Sequence, residues 1–460
     1  MFSDRSTCRF LLGVTLIGLT LPPPLLGQRA PGEENSRNIQ LLSHIPLGGQ
    51  YLTGDIEVEQ DLSRPYVYVS RIYTTPGFDV ISVKDPKAAK RIYSWRIENP
   101  ELHQGAGGSD GHYFKYRDRY YYVESVQFKP SGPDGDLGAV VVDVTGLPDT
   151  TKVKEVARIR FPEAPMGFHT LFPYKHSDGR VLLFTAPNGA FSAVYDLGQV
   201  LAGQPGLISK VPGSEPTPTI YGLVKLGYHD FYVAYDPATH QDKFYGASIR
   251  GYNVYDVSRP EEPKLITTIQ GAAGVEVAHT FQATPDGRYA VTQTEYQYSP
   301  VRFWDLKPGL DGTVKAISRP IGAWSGNWKL ASHNHEIRWP YVFIGAFEDG
   351  LAVVNMMDPT NPYTVGYYDT HSGSLLHGED LGTYPPEVGN SIFNGVWGVD
   401  VRNADGMIVA SDFRTGFWAF HMDGFDGWNG RQWGMPNISS VQDWDNGPEG
   451  APKANRVSLK

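Results

Sequence analysis

The 460-residue sequence predicts an all-β fold: a seven-bladed β-propeller of four-stranded antiparallel blades, closed by an N-terminal outer strand that completes the last blade. Three observations carry that prediction. The 51 Gly, 35 Pro, 27 Tyr and 10 Trp favour short strands and tight turns over long helices. Few windows longer than about ten residues keep a helical 3.6 period. Finally, one phrase, an apolar strand that runs into a turn, recurs seven times.

The copies begin at Gly77, Gly138, Phe191, Gly251, Val301, Gly350 and Gly416, spaced 61, 53, 60, 50, 49 and 66 residues apart. Each follows another β-rich run, such as YVYVSRIY, KFYGASI or YVFIGAF, and most precede a short alternating strand, such as KRIYSWRIE, KLITTIQ or YTVGYYDT. An inner strand ahead of these three makes a four-stranded unit the size of a propeller blade. The seventh copy is followed by FDGWNGRQWGMPN, a poor strand, whereas NIQLLSHIPL at 38–47 has no blade before it. Pairing the two ends closes the ring without a long open edge. The expected organisation is a signal peptide over 1–30, the propeller over 31–424 and an irregular, loosely packed tail over 425–460.

The stretch GLAVVNMMDPTNPYTVGYYDT from Gly350 resembles the unit of the LVIVD-repeat proteins, secreted bacterial propellers with a Gly-Leu-x-Val-Val-Asp strand and an Asp-Pro-x-x-Pro turn. GYNVYDVSRPEEPKLITTI and GFDVISVKDP are weaker copies, and FNGVWGVDVRNADGMIVASDFRTGFWAF is similar to the last blade of one branch of that family. The likeness covers most of 50–424, with Asn355 where the family carries Asp. It implies the fold and an extracellular setting, and no particular reaction. Asp143, Asp196, Asp256 and Asp305 end their strands and are expected to serve turns.

Charge and end signals narrow the function classes. A formal charge of −10 without a basic stripe excludes a nucleic-acid partner. Arg5 and Arg9 precede the apolar run FLLGVTLIGLTL and the breaker PPPLLGQRA, the order of a secretion signal. About twelve apolar residues are too few to span a bilayer, so no stable membrane insertion is expected after cleavage and the mature chain is placed as secreted or periplasmic. A retained anchor is the alternative. Cys8, the only cysteine, lies within this signal, so the mature chain has no disulfide, thiolate ligand or cysteine nucleophile. Phosphate loops, serine-hydrolase elbows and zincin helices are all missing from the sequence.

Histidines recur in step with the blades. His169, His229 and His279 each lie 22 residues before their own copy of the phrase; His112 lies 26 and His335 15 residues before theirs. The remaining blades carry Asp55 with Glu57, and Trp397 with Asp400, in the comparable region. Inner strands line a propeller's channel, so these side chains are expected to converge near one axis. Two readings follow. The histidines brace neighbouring blades, or His169, His229, His279, His335 and His112 supply ligands to Fe, Cu or Zn, with Glu276, Glu336 and Asp230 behind them. His333 is expected nearer the mouth than His335. The long segment 371–395, with His371, His377, Glu379 and Asp380, reads as a lid or as a solvated loop.

Two function classes therefore stand. One is a scaffold that binds a protein, glycan or small molecule over its channel face. The other is a metal-dependent oxidoreductase or oxygenase-like enzyme with the histidines at its axis, a use of the propeller also made by carotenoid-cleaving oxygenases.

Overall fold

The computed structural model describes residues 35–47, 52–72, 76–98, 110–128, 132–214, 217–219, 222–224, 227–370, 394–435 and 442–448. Seven antiparallel sheets follow one another along the chain as blades. Their innermost strands are Leu52–Val58, Gly111–Tyr116, Phe168–Lys175, Phe231–Asp236, Thr280–Ala283, His335–Arg338 and Val396–Val401 for blades 1 to 7. Each recurrent phrase forms the third strand of its blade, from Gly77–Ser82 in blade 1 to Gly416–Met422 in blade 7. These third strands are buried on both faces, because neighbouring blades stack on either side; Val140, Val141 and Val142 are all fully buried.

The ring closes as the sequence predicts. Ile39–Ile45 pairs antiparallel with Gly416–Met422, from Ile39 opposite Met422 to Ile45 opposite Phe417. His44 stacks on Trp418 with ring centres 3.8 Å apart. Ser411 Oγ donates to the Gly54 carbonyl at 2.6 Å, and Thr53 Oγ1 donates to the Asp412 carbonyl at 2.6 Å, joining blade 7 to blade 1. The opening glycine of the phrase has a steric cause. Gly416 sits at φ +97°, and a Cβ there would lie 2.6 Å from the Ile45 carbonyl on the closing strand.

The turn residues act as expected. Asp143, Asp196, Asp256 and Asp305 each accept the backbone N–H two residues ahead, at 2.8–3.0 Å. Asn355 does the same for Met357 at 2.8 Å, so asparagine at this position makes the same turn bond as the aspartates. Blade 5 departs from the simple plan. After Val301–Asp305 the chain makes a short helical turn, Lys307–Leu310, and lays Ala316–Ile317 in parallel beside Lys264–Gln270 of blade 4 before returning as Gly322–Trp324.

The cores lie between blades. The largest cluster joins Phe172 and Phe184 of blade 3 to Phe231, Phe244 and Tyr252 of blade 4 and Phe281 of blade 5. His176 braces blades 3 and 4: fully buried, it places Nε2 3.3 Å from Asp242 Oδ2, and Tyr174 and Ser177 donate to the same carboxylate at 2.7 and 2.5 Å. His176 lies in the turn after an inner strand, away from the recurrent set.

The described parts of the tail are held rather than loose. Trp428 Nε1 donates to the Trp339 carbonyl at 2.8 Å, Gln442 Nε2 donates to the Pro173 carbonyl at 2.9 Å, and Asp445 pairs with Lys115 at 2.6 Å. All three contacts fall at the C-terminal ends of inner strands, opposite the recurrent histidines. Among the described residues no helix is long and apolar enough to cross a membrane.

Deleting residues 31–50 removes the fourth strand of blade 7 and exposes the edge of Gly416–Met422. The expected outcome is a fall in Tm of about 10 °C or more, with loss of a single cooperative transition, by scanning calorimetry. Unchanged melting of the truncated chain would contradict strand closure.

Candidate functional site

At the N-terminal ends of the inner strands, equivalent backbone bonds put three histidines in register. His229 donates its N–H to the Ala247 carbonyl, His279 to Gln293 and His333 to Gly345, at 2.9, 3.0 and 2.7 Å. His169 occupies the matching place in blade 3 and Trp397 in blade 7. Their rings form a continuous arc: His169–His229 4.3 Å, His229–His279 4.1 Å, His279–His333 4.5 Å and His333–Trp397 4.2 Å between centroids. Below the arc, side chains at alternate positions of the inner strands line a cavity with about 80 Å³ of room for water-sized molecules.

The outer nitrogens of the arc decide what the inner ones can do. His169 Nδ1 lies 3.0 Å from Gln127 Oε1, an acceptor, so Nδ1 carries the proton and Nε2 keeps a lone pair. His333 Nδ1 donates likewise to the Trp397 carbonyl at 2.9 Å. Thr280 Oγ1 gives its own proton to Asn334 Oδ1, so His279 Nδ1, 2.7 Å away, donates to it. Three rings are thereby fixed in the tautomer that turns an Nε2 lone pair inward. The fourth, His229, sets its Nε2 3.0 Å from His169 Nε2 and has a buried Nδ1 without a hydrogen-bond partner.

Glu295, from the turn between the second and third strands of blade 5, completes the cluster. Its carboxylate oxygens lie 3.5 Å from His279 Nε2 and 3.7 Å from His333 Nε2. His229, His279 and Glu295 each offer a donor atom within 4.8 Å of the other two. Burial holds all four imidazoles below the usual histidine range, His169 at about 4, and their proximity lowers His229, His279 and His333 further. Burial also pushes Glu295 up to about 8. Neutral imidazoles are the form in which histidine binds a metal ion, whereas Glu295 would have to give up its proton to join them.

The remaining predicted residues fall into three groups. His335 is not part of the arc, contrary to expectation; His333 is. His335 lies one position out of the channel-facing alternation of Asn334 and Glu336, and its Nδ1 accepts from Gln293 Nε2 at 2.6 Å. His112 is also separate: its Nδ1 lies 2.5 Å from Glu57 and its Nε2 3.1 Å from Asp110. Asp55, Glu57, Asp230, Glu336 and Asp400 do line the channel, deeper than the arc, where Arg338 pairs with Glu336 at 2.6 Å and approaches Asp400 at 3.4 Å. Asp230 is raised to about 7, chiefly by burial. Glu276 stands apart, half-exposed and 3.9 Å from Arg250. The supports behind the imidazoles are therefore Gln127, Thr280 and the Trp397 carbonyl, not Glu276, Glu336 or Asp230. His371, His377, Glu379 and Asp380 lie outside the described residues.

These features define a seven-bladed β-propeller with an imidazole cluster at one end of its channel and carboxylates within it. Among solved structures the chain is similar to the WD40 β-propeller domain of Doa1, with a TM-score of 0.53 over 85% of this chain and 99% of that one, at 11% identity. That likeness concerns the fold. No protein-family model and no curated protein matches the chain.

A buried neutral histidine makes folding sensitive to acid. His335, held at about 3 by burial, is neutral in the fold, whereas in the unfolded chain it takes a proton below its ordinary value near 6.5. Its contribution is complete above about pH 6.5 and is lost as pH falls towards 3. Denaturant unfolding of chelator-treated wild type and His335→Gln is expected to show a stability difference that shifts by ~2 kcal/mol in favour of the variant between pH 7 and 5. A difference independent of pH would contradict the burial of His335 as a neutral ring.

Proposed function

We propose that this chain is a secreted or periplasmic propeller that binds one transition-metal ion, Fe, Cu or Zn, through His169, His229, His279 and His333 with Glu295 as an oxygen donor, and acts as a metal-dependent oxidoreductase or oxygenase-like enzyme. The observation that carries the reading is the fixed tautomer of three rings: Gln127, Thr280 and the Trp397 carbonyl hold Nδ1–H, leaving inward Nε2 lone pairs in one small space. His169 Nε2 and His229 Nε2 lie 3.0 Å apart, a hydrogen-bond distance in the absence of an ion and close enough for both to reach one. A nitrogen-rich set suits Fe, Cu or Zn rather than Ca or Mg.

A bound ion would supply Lewis acidity, and with Fe or Cu also redox chemistry. The chain's own residues provide the rest. Glu295 gives up its proton on joining the ion beside His279 and His333, and Trp397 with Phe347 shields one flank of His333 from water. The cavity that the arc helps to line, with about 80 Å³ of room for water-sized molecules, fits only small molecules. The signal-like N-terminus and the likeness of the Gly350 stretch to LVIVD repeats support the extracellular setting and the family reading.

A second reading, a binding scaffold for a protein, glycan or small ligand, has one observation of its own. Tyr298 and Trp328 form an edge-to-face pair, centroids 4.9 Å apart and each more than half exposed, and Tyr298 belongs to the turn that carries Glu295. Such a pair suits stacking of a ligand ring at the channel rim.

Elemental analysis of tag-free mature protein is expected to give about one Fe, Cu or Zn per chain. A His229→Ala/His279→Ala variant of unchanged fold is expected to lose at least nine-tenths of it, and Glu295→Gln to weaken retention about 10–100-fold. Protein that stays metal-free after exposure to all three ions would contradict the metal reading and leave the scaffold.

A further inference from the structure

The carboxylate half of the channel carries a second constellation that the imidazole cluster does not use. Asp55 of blade 1 and Asp110 of blade 2 face each other, carboxyl to carboxyl, with His112 beside them; each of the three offers a donor atom within 4.8 Å of the other two. Glu57 Oε2, 2.5 Å from His112 Nδ1, accepts that nitrogen's proton and turns Nε2 towards Asp110 Oδ1, 3.1 Å away. This is the carboxylate–histidine arrangement that orients an imidazole towards a cation. Asp110 is itself over nine-tenths buried and is aimed by the Leu171 N–H, which donates to Oδ2 at 2.7 Å, while buried Oδ1 has the His112 ring at 3.1 Å in poor hydrogen-bond alignment.

Two details of the wall favour a guest here. Gly398 of blade 7 lies against Asp55, and a Cβ at that position would collide with the Asp55 carboxylate, so the packing keeps that oxygen in place. Among the described residues six carboxylates line the channel, and Arg338 is spent on Glu336 and Asp400 on the far side from Asp110 in the ring of blades. The nearer positive group is His112 when its ring is protonated between Glu57 and Asp110, so a cation bound there takes the place of that proton. Two carboxylates in contact at low dielectric need a cation between them if both are ionised.

We propose that Asp55, Asp110 and His112 form a second cation site, oxygen-rich and suited to Mn²⁺ or a similar hard divalent ion, distinct from the nitrogen-rich cluster at the mouth. The channel then holds two ions of different chemistry, sorted by donor type. This site stands on its own residues and does not depend on a metal at the imidazole cluster.

The test uses Mn²⁺ and electron paramagnetic resonance on chelator-treated mature protein carrying His229→Ala/His279→Ala, which disables the mouth cluster. One Mn²⁺ per chain is expected to bind, with a nitrogen coupling from a single imidazole in the pulsed spectrum. Adding Asp55→Asn/Asp110→Asn is expected to weaken binding at least 100-fold, and His112→Gln to abolish the nitrogen coupling, a readout that does not depend on how well the double carboxylate variant folds. No Mn²⁺ binding up to millimolar concentration overturns the proposal, with the carboxyl pair then holding a proton instead. So does a bound ion that keeps its nitrogen coupling in His112→Gln.

Discussion

Closure of the ring is the constraint from which the rest follows. Seven blades can share one axis only if the last is completed by a strand from the other end of the chain, and Ile39–Ile45 supplies it. Once closed, each inner strand has a fixed distance from the axis, and residues hundreds of positions apart reach the same height in the channel. His169 and His333 belong to one arc for this reason, with no local sequence connection between them. The cost of bringing them together is met by the blade-to-blade cores, not by any bond among the histidines.

The channel is graded in chemistry along its length. Imidazoles and Trp397 occupy the mouth, and carboxylates with His112 and Arg338 lie below. Buried imidazoles are comfortable as neutral rings, whereas buried carboxylates require protons, hydrogen bonds or cations. Each half has recruited accordingly: amide, hydroxyl and backbone oxygens stand behind the histidines, and backbone N–H groups and the Arg338 guanidinium stand against the acids. At the far end Trp428 and Gln442 of the tail bond the Trp339 and Pro173 carbonyls.

Much of this was legible in the sequence, because repetition reports geometry. The phrase at Gly77 through Gly416 gave the blade count, and the offset ends gave the closure. The constant 22-residue interval of His169, His229 and His279 placed them at one level. Failure came where the repeat is irregular. In SHNHE the histidine that joins the arc is the first, since the chain turns before the strand begins and Asn334 and Glu336 take the channel-facing positions; spacing alone could not choose between them. Glu295 was missed because it comes from an outer turn, TEYQYSP, rather than an inner strand. Its signal was an acid two residues past the strand end that pairs with His279. Gln127 and Thr280 give no sequence signal, as their role exists only once two blades meet. The parallel strand Ala316–Ile317 was hidden by its length of two residues.

The central claim is that the three imidazoles with fixed inward lone pairs, joined by His229, share one ion. Anomalous diffraction from a crystal of the metal-loaded protein, recorded at the absorption edge of the ion found by elemental analysis, tests it most directly. The account predicts a peak about 2.0–2.2 Å from Nε2 of His229 and His279, with His169, His333 and Glu295 closing around it. A peak bound instead through Nδ1 atoms or at the protein surface, or no peak in a fully loaded crystal, would contradict it.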